Sequence, residues 1–319
     1  MATIFPYSEF NSKEDAKALR KAMKGFGCDE AAIMAIICSR SNKQRQDLIT
    51  AYKQVHGREL MKDLKSELSG NFENVILGLM TPLSKYLAQE IRRAIKGIGT
   101  DEGVLIEIIC TRTNDEISNI KKAYSQLYNR SMEQDIVDDL SGDFKHLMMA
   151  LMTASRPEDR QVNLAEAKKE AKELKTAGVD RWGTDEGVFI TALCSNSLEQ
   201  TKAIFKEYKA LAGHDIMDAI EKEMSSSLKT AFLTIVKCMH NTPLYFAERL
   251  EKAMRGLGTD NRTLIRILVS RCEVDLADII KEYQRIYGKS LVKAVEEETS
   301  GDYRKALMYI ITGAPNIYG

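Results

Sequence analysis

A glycine turn followed by acids occurs four times in this chain, and it fixes what the rest can be. The copies are Lys24-Gly25-Phe26-Gly27-Cys28-Asp29-Glu30, Lys96-Gly97-Ile98-Gly99-Thr100-Asp101-Glu102, Arg181-Trp182-Gly183-Thr184-Asp185-Glu186 and Arg255-Gly256-Leu257-Gly258-Thr259-Asp260-Asn261. Each reads as the end of one helix, a tight turn and the start of the next. A glycine just past an apolar run takes φ > 0 and closes a helix, and Thr followed by acids reads as an N-cap with carboxylates in the first turn.

An acid keeps step with these turns. Forty positions after the last glycine of each copy stand Glu67, Asp139, Glu223 and Glu298. A glycine turn offers backbone carbonyls, a carboxylate offers two more oxygens, and an all-oxygen set suits a hard cation such as Ca2+. One such pairing is an ordinary helix turn beside an unrelated surface acid. Four pairings in phase point to metal binding.

The segment between a turn and its acid is helical. Asn11-Ser12 caps a first helix with Ala18, Leu19, Ala22 and Met23 on one face, and residues 31–38 are apolar almost all round, as in a buried helix. Residues 43–55 are amphipathic, Leu60, Met61, Leu64 and Leu68 make a fourth periodic segment, and residues 72–80 a fifth that Thr81-Pro82 ends. The unit recurs: Ser69-Gly70-Asn71-Phe72 is matched by Ser141-Gly142-Asp143-Phe144 and Ser300-Gly301-Asp302-Tyr303. No period-2 strand with hairpin turns is found, so the expected fold is all-α, four repeats of five helices each.

The expected boundaries are a tail at 1–11, repeats at 12–82 and 83–154, a connector at 155–166, repeats at 167–242 and 243–313, and a C-terminal tail at 314–319. The connector is placed at the charged, Pro-containing run 156–160, between two halves of the chain.

Composition narrows the function. Lys plus Arg and Asp plus Glu number 46 each, a formal net charge of zero, which argues against constitutive binding to nucleic acid or to an acidic membrane. An anionic partner then needs a cation to bring the positive charge. The six cysteines show no framework or metal-ligand spacing; Cys38, Cys110 and Cys194 fall in apolar runs eleven residues after Gly27, Gly99 and Gly183 and read as one buried position used three times, in a reducing compartment. The start lacks a signal-peptide pattern, and no apolar run approaches the roughly 18 residues of a membrane span, so a cytoplasmic protein reaching membranes peripherally is expected.

Enzyme signatures are wanting. His56, His146, His214 and His240 are too dispersed for a zinc peptidase, and Gly288-Lys289-Ser290 lacks the glycine and the preceding strand of a phosphate loop. No catalytic residue is assigned. A helical-repeat scaffold for protein partners is the alternative to a calcium-dependent binder, and it predicts that the four acids are dispensable.

With its four turns, its phased acids, the Leu-Lys-Ser-Glu-Leu-Ser-Gly run at 64–70, Ser39-Arg40-Ser41-Asn42 echoed by Thr111-Arg112-Thr113-Asn114, and Trp182, the chain resembles the annexin family. The resemblance covers residues from about 10 to 313. It implies a curved annexin-like disc that docks on an acidic, phosphatidylserine-like phospholipid surface through Ca2+, with no nucleic acid and with self-association on the membrane and protein partners left open. Carried over to this chain, carbonyls of Met23, Gly25 and Gly27 with Glu67 would hold one ion, and Ile95, Gly97 and Gly99 with Asp139 another. Gly178, Arg181 and Gly183 with Glu223, and Met254, Gly256 and Gly258 with Glu298, would hold two more. Trp182 is assigned as a residue that enters the lipid interface. Three departures stand out: Cys28 replaces Thr, which weakens the cap; Glu223-Met224-Ser225-Ser226 departs from the acid-x-Ser-Gly pattern and predicts a different loop shape; and Asn196 replaces the Arg of its siblings Arg40, Arg112 and Arg271, read as structural ion pairs.

Overall fold

The computed structural model describes residues 1–25, 27–178, 185–256 and 258–313. Among them every regular element is a helix. The first repeat holds α1 (Ser12–Ala22), α2 (Glu30–Ile37), α3 (Asn42–His56), α4 (Leu60–Glu67) and α5 (Gly70–Met80), and the second α6 (Leu83–Ala94), α7 (Glu102–Ile109), α8 (Asn114–Tyr128), α9 (Met132–Asp139) and α10 (Gly142–Met152). α11 (Leu164–Ala177), α12 (Glu186–Cys194), α13 (Leu198–Ala212) and α14 (Ile216–Glu223) continue the third. α15 (Ser226–Met254) is two helices in one: the backbone leaves helical geometry at Asn241 (φ −158°, ψ 90°), just before Pro243, which has no N–H to give the ladder. Its first half completes the third repeat. Its second half opens the fourth, with α16 (Asn261–Arg271), α17 (Leu276–Tyr287), α18 (Leu291–Glu298) and α19 (Gly301–Thr312).

The repeats are written by local chemistry used again and again. In the first three repeats the third helix starts on a hydroxyl cap: Ser41 with Gln44 and Thr113 with Glu116 close reciprocal capping boxes, and the Ser197 side chain accepts from the Gln200 N–H, whereas α17 opens at Asp275 without a side-chain cap. The third helix ends on a left-handed residue, Gly57, Asn129, Gly213 or Gly288, with φ of 64°, 51°, 76° and 67°. Asn129 substitutes because Asn tolerates this region better than most side chains. The second helix is buried on most sides, with Ile33, Met34 and Ile37 in the first repeat and Leu105, Ile106, Ile108 and Ile109 in the second.

Two compact units form, residues 1–86 with 243–319, and residues 87–242. In the first, α5 packs on α16 and α19, so repeats one and four are partners; in the second, α10 packs on α12. The halves in space are therefore not the halves in sequence, and the link around 155–163 runs inside the second unit. Arg156 in that link donates to the Leu193 carbonyl, and its own carbonyl accepts from Asn114 at 2.8 Å. The N-terminal residues are tied down: Thr3 and Ile4 N–H both donate to the Cys272 carbonyl at 2.8 and 3.1 Å, and Thr3 Oγ1 to the Ile310 carbonyl at 2.7 Å.

Arg40 makes a two-pronged pair with Asp15 at 2.7 and 2.9 Å, Arg271 pairs with Asp275 at 2.7 and 2.6 Å, and Arg112 reaches Glu116 at 3.1 Å. The structural reading of these arginines holds. In the third repeat Asn196 Nδ2 donates instead to Glu170 at 2.6 Å. The cysteines correct one expectation: all six are free, but only Cys38 of the phased trio is fully buried, Cys110 and Cys194 being half-buried. The three residues do share a place, at or beside the C-terminus of the second helix.

Candidate calcium and membrane-binding turns

The glycine turns of the first, second and fourth repeats share one backbone conformation. φ is 132° and 94° at Gly25 and Gly27, 135° and 82° at Gly97 and Gly99, and 137° and 90° at Gly256 and Gly258. Residues with a Cβ rarely adopt these values, so the two glycines of each turn are a requirement of its shape. The turns are closed alike, Asp29 N–H donating to the Ala22 carbonyl at 2.9 Å, Asp101 to Ala94 at 2.9 Å and Asp260 to Ala253 at 2.8 Å. In the third repeat Asp185 donates to the Ala177 carbonyl at 2.9 Å across a turn one residue longer.

The cap is the aspartate, not the preceding threonine. Asp29 Oδ1 accepts from the Ala32 N–H at 2.9 Å, Asp101 Oδ1 from Val104 at 3.2 Å and Asp260 Oδ1 from Thr263 at 3.0 Å. Cys28 therefore leaves the cap intact. Burial pushes the carboxyl of Asp260 up, but the Thr263 N–H and hydroxyl, with Arg266 and Arg249, more than offset it and hold the group below its ordinary value.

Freed from capping, the threonine hydroxyl bonds elsewhere. Thr100 Oγ1 donates to the Asp139 carboxylate, and Thr259 Oγ1 donates to Glu298 Oε2 at 2.7 Å. These bonds bring the turns of the second and fourth repeats into direct contact with the acids forty residues on. In the first repeat Cys28 lies within electrostatic reach of Glu67: burial first, then Glu30, Glu67 and Asp29, push its thiol up to about 11.

All four acids hold the same structural address. Glu67, Asp139, Glu223 and Glu298 are each the last residue of the fourth helix, and each is followed by an extended residue. The expected change of shape after Glu223 is overturned. Met224 is extended (φ −116°, ψ 162°) like Leu140 (φ −111°, ψ 161°), and Ser226 takes φ 55° where Gly70, Gly142 and Gly301 take 63°, 59° and 61°. Glu223 lines a 340 Å³ cavity with Glu102, Ser141 and Ser225 to Ser227, and Ser227 Oγ donates to Glu102.

The remaining candidate donors are main-chain. Met23, Ile95 and Met254 bury their side chains and can offer only carbonyls. Among the described residues no backbone hydrogen bond outside the helices ends on the carbonyls of Met23, Gly25, Gly27, Ile95, Gly97, Gly99, Met254, Gly256 or Gly258. Gly178 ends α11 with φ −106° and ψ −97°. Arg181, Gly183 and Trp182 lie outside the described residues. No three His, Cys, Asp or Glu side chains among the described residues come together to hold a metal, consistent with sites that take one carboxylate each and draw the rest from carbonyls. Open carbonyls beside a carboxylate held in place are a donor set that fits Ca2+.

One feature was legible in the sequence and missed. The residue before the last glycine of each turn is Phe26, Ile98, Trp182 or Leu257, apolar in every copy. Ile98, the described member, is fully exposed.

A family model described as Annexin matches residues 14–79, 86–151, 169–235 and 245–310. Annexin A4 of Mus musculus is 51% identical over 311 residues, 98% of each chain, and Annexin A11 of Homo sapiens is 50% identical over 311 residues, 98% of this chain and 62% of that protein. Among solved structures, annexin III superposes with a TM-score of 0.95 at 42% identity, covering 98% of this chain and 97% of its own. Calcium-bound annexin (Sm)1 does so with 0.88 at 32%, covering 100% and 94%. Matched by the family model in all four repeats, and by Annexin A4 along nearly its whole length, this chain is a member of the annexin family.

Proposed function

We propose that this chain docks on acidic phospholipid surfaces through Ca2+ held between its glycine turns and the acids that close its fourth helices. Calcium-dependent phospholipid binding is the general property that membership of the family carries. The observation that supports the finer reading is the threonine bond: Thr259 reaches Glu298 at 2.7 Å and Thr100 reaches Asp139, joining turn to acid in two repeats.

The first set is Met23, Gly25, Gly27 and Glu67, and the second Ile95, Gly97, Gly99 and Asp139. Gly178, Arg181, Gly183 and Glu223 make the third, and Met254, Gly256, Gly258 and Glu298 the fourth. Three carbonyls and a two-oxygen carboxylate give five donors, and Ca2+, taking roughly 6 to 8 oxygens, offers its remaining positions to lipid phosphate and carboxylate groups. At Gly25, Gly27, Gly97, Gly99, Gly256 and Gly258 no atom beyond the adjoining residues lies within 4 Å of where a side chain would begin, which leaves these turns open to a cation. Ile98 presents an apolar tip to the lipid interface, and Phe26, Trp182 and Leu257 stand at the same place in the sequence of their repeats. Recruitment is peripheral, since no helix among the described residues is long and apolar enough to cross a membrane. The use served is membrane organisation or trafficking.

The test is co-sedimentation with phosphatidylserine-containing vesicles across a calcium titration. Wild type is expected to pellet only with calcium, and Glu67→Gln, Asp139→Asn, Glu223→Gln and Glu298→Gln combined to need far more of it. A wild type indifferent to calcium, or a quadruple variant that matches it, overturns the reading in favour of a helical-repeat scaffold.

A further inference from the structure

We infer that Thr100 and Thr259 are positioning residues that hold their acids ready for the cation, and that Cys28, which cannot do so, leaves the site of the first repeat weaker than those of the second and fourth. The inference rests on the calcium reading above and adds residues that are not among the proposed ligands.

The two threonines do the same thing in separate units. Thr100 donates to the Asp139 carboxylate, and its hydroxyl also approaches the Asp139 main-chain oxygen at 3.5 Å. Thr259 donates to Glu298 Oε2 at 2.7 Å and approaches the Glu298 main-chain oxygen at 3.4 Å. Neither threonine is needed as a cap, because Asp101 and Asp260 fill that role. Each hydroxyl is thus spent on the acid alone.

A hydrogen bond to a carboxylate is charge-assisted and directional, so it selects one orientation of a side chain that would otherwise sample several. Each carboxylate oxygen has two lone pairs, so an oxygen that accepts the threonine proton can still face a cation. The arrangement is that of an outer partner orienting a metal ligand, whose removal typically weakens metal binding about tenfold or more.

The first repeat supplies the natural deletion. Its turn has the same glycine angles and the same Asp29 cap, and Glu67 has the same place at the end of α4. In place of the threonine hydroxyl stands the thiol of Cys28, which is a weak donor. Shape is preserved and the clasp is lost.

The experiment is a calcium titration of binding to phosphatidylserine-containing vesicles, with melting in calcium-free buffer as the check on folding. Thr100→Val with Thr259→Val is expected to raise the calcium midpoint about tenfold, and Thr100→Ser with Thr259→Ser to restore it. Cys28→Thr is expected to lower the midpoint, and that gain to vanish when Glu67→Gln is added. If wild type responds to calcium but the valine pair and Cys28→Thr leave the midpoint in place, the positioning role is overturned and the calcium reading survives. A gain from Cys28→Thr that persists with Glu67→Gln also overturns it. A wild type that ignores calcium removes both.

Discussion

Ser226 occupies a left-handed backbone position, φ 55°, that its three counterparts leave to Gly70, Gly142 and Gly301. A side chain there costs roughly 1–2 kcal/mol against the carbonyl that follows, and part of that returns because a glycine frees the unfolded chain. Ser226→Gly should therefore stabilise the protein by about 0.5–1 kcal/mol, a rise in melting temperature; an unchanged or lower value would mean that the serine is not strained. The opposite logic governs Ile98, which is fully exposed and so contributes little to the fold. Ile98→Ser should leave melting unchanged and raise the calcium concentration needed to bind vesicles, because it removes about one side chain's worth of interfacial transfer, roughly 1–2 kcal/mol. Equal vesicle binding by the variant would take Ile98 out of the interface.

Between the third and fourth helices a clamp recurs that the sequence did not announce. Tyr52 donates to Asp63 Oδ2 at 2.7 Å, and Arg58 grips the same carboxylate with two bonds of 2.7 Å. In the second repeat Tyr124 reaches Asp135 at 2.6 Å, Arg130 at 2.7 Å and Arg92 at 2.8 Å. Arg58 and Arg130 are the main causes holding these two acids below the ordinary aspartate value of 3.8. A lowered folded value means stability that is fully present above pH 3.8 and lost as pH falls through the folded values below it. Melting temperature should hold between pH 7 and 5 and drop in acid. Asp63→Asn with Asp135→Asn should cost about 1–3 kcal/mol per site at pH 7 and flatten the acid limb; an unaltered limb would assign it to other carboxylates. Helix number, the turns and the phased acids were all readable because they follow from glycine positions and a 3.6-residue period. The clamp was not, since Tyr52 and Asp63 are eleven residues apart on different helices and nothing local marks them as partners. The Asp caps were misjudged for a related reason: Thr and Asp are both good caps, and only the closing bond from Asp29 to Ala22 and its relatives decides which residue sits at the boundary. The pairing of repeat one with repeat four was hidden too, because repeats that share a pattern do not say which of their apolar faces meet.

Across the whole chain, equal numbers of acids and bases leave no net charge to draw the protein to an anionic surface, and on the proposed reading the attraction comes from the cation and from the turns that hold it. If Ca2+ is shared between turn and lipid, the two bindings are linked, and linkage is reciprocal. The factor by which saturating calcium raises vesicle affinity must equal the factor by which saturating vesicles raise calcium affinity. Several turns on one chain sharpen this response, because after the first contact the second is effectively intramolecular and adds avidity without new chemistry. Removing one acid, as in Glu298→Gln, should then raise the calcium midpoint only modestly and make the titration less steep, whereas removing all four should abolish the response in the same range. Chelation should release the bound protein, since on this reading the cation supplies the link to the lipid. Calcium binding measured by calorimetry with and without phosphatidylserine vesicles, set against vesicle binding with and without calcium, checks the equality directly. Equal factors would place the cation between the two surfaces. A calcium affinity that vesicles leave unchanged would show that calcium binds but does not bridge, and would move the source of membrane affinity away from the glycine turns.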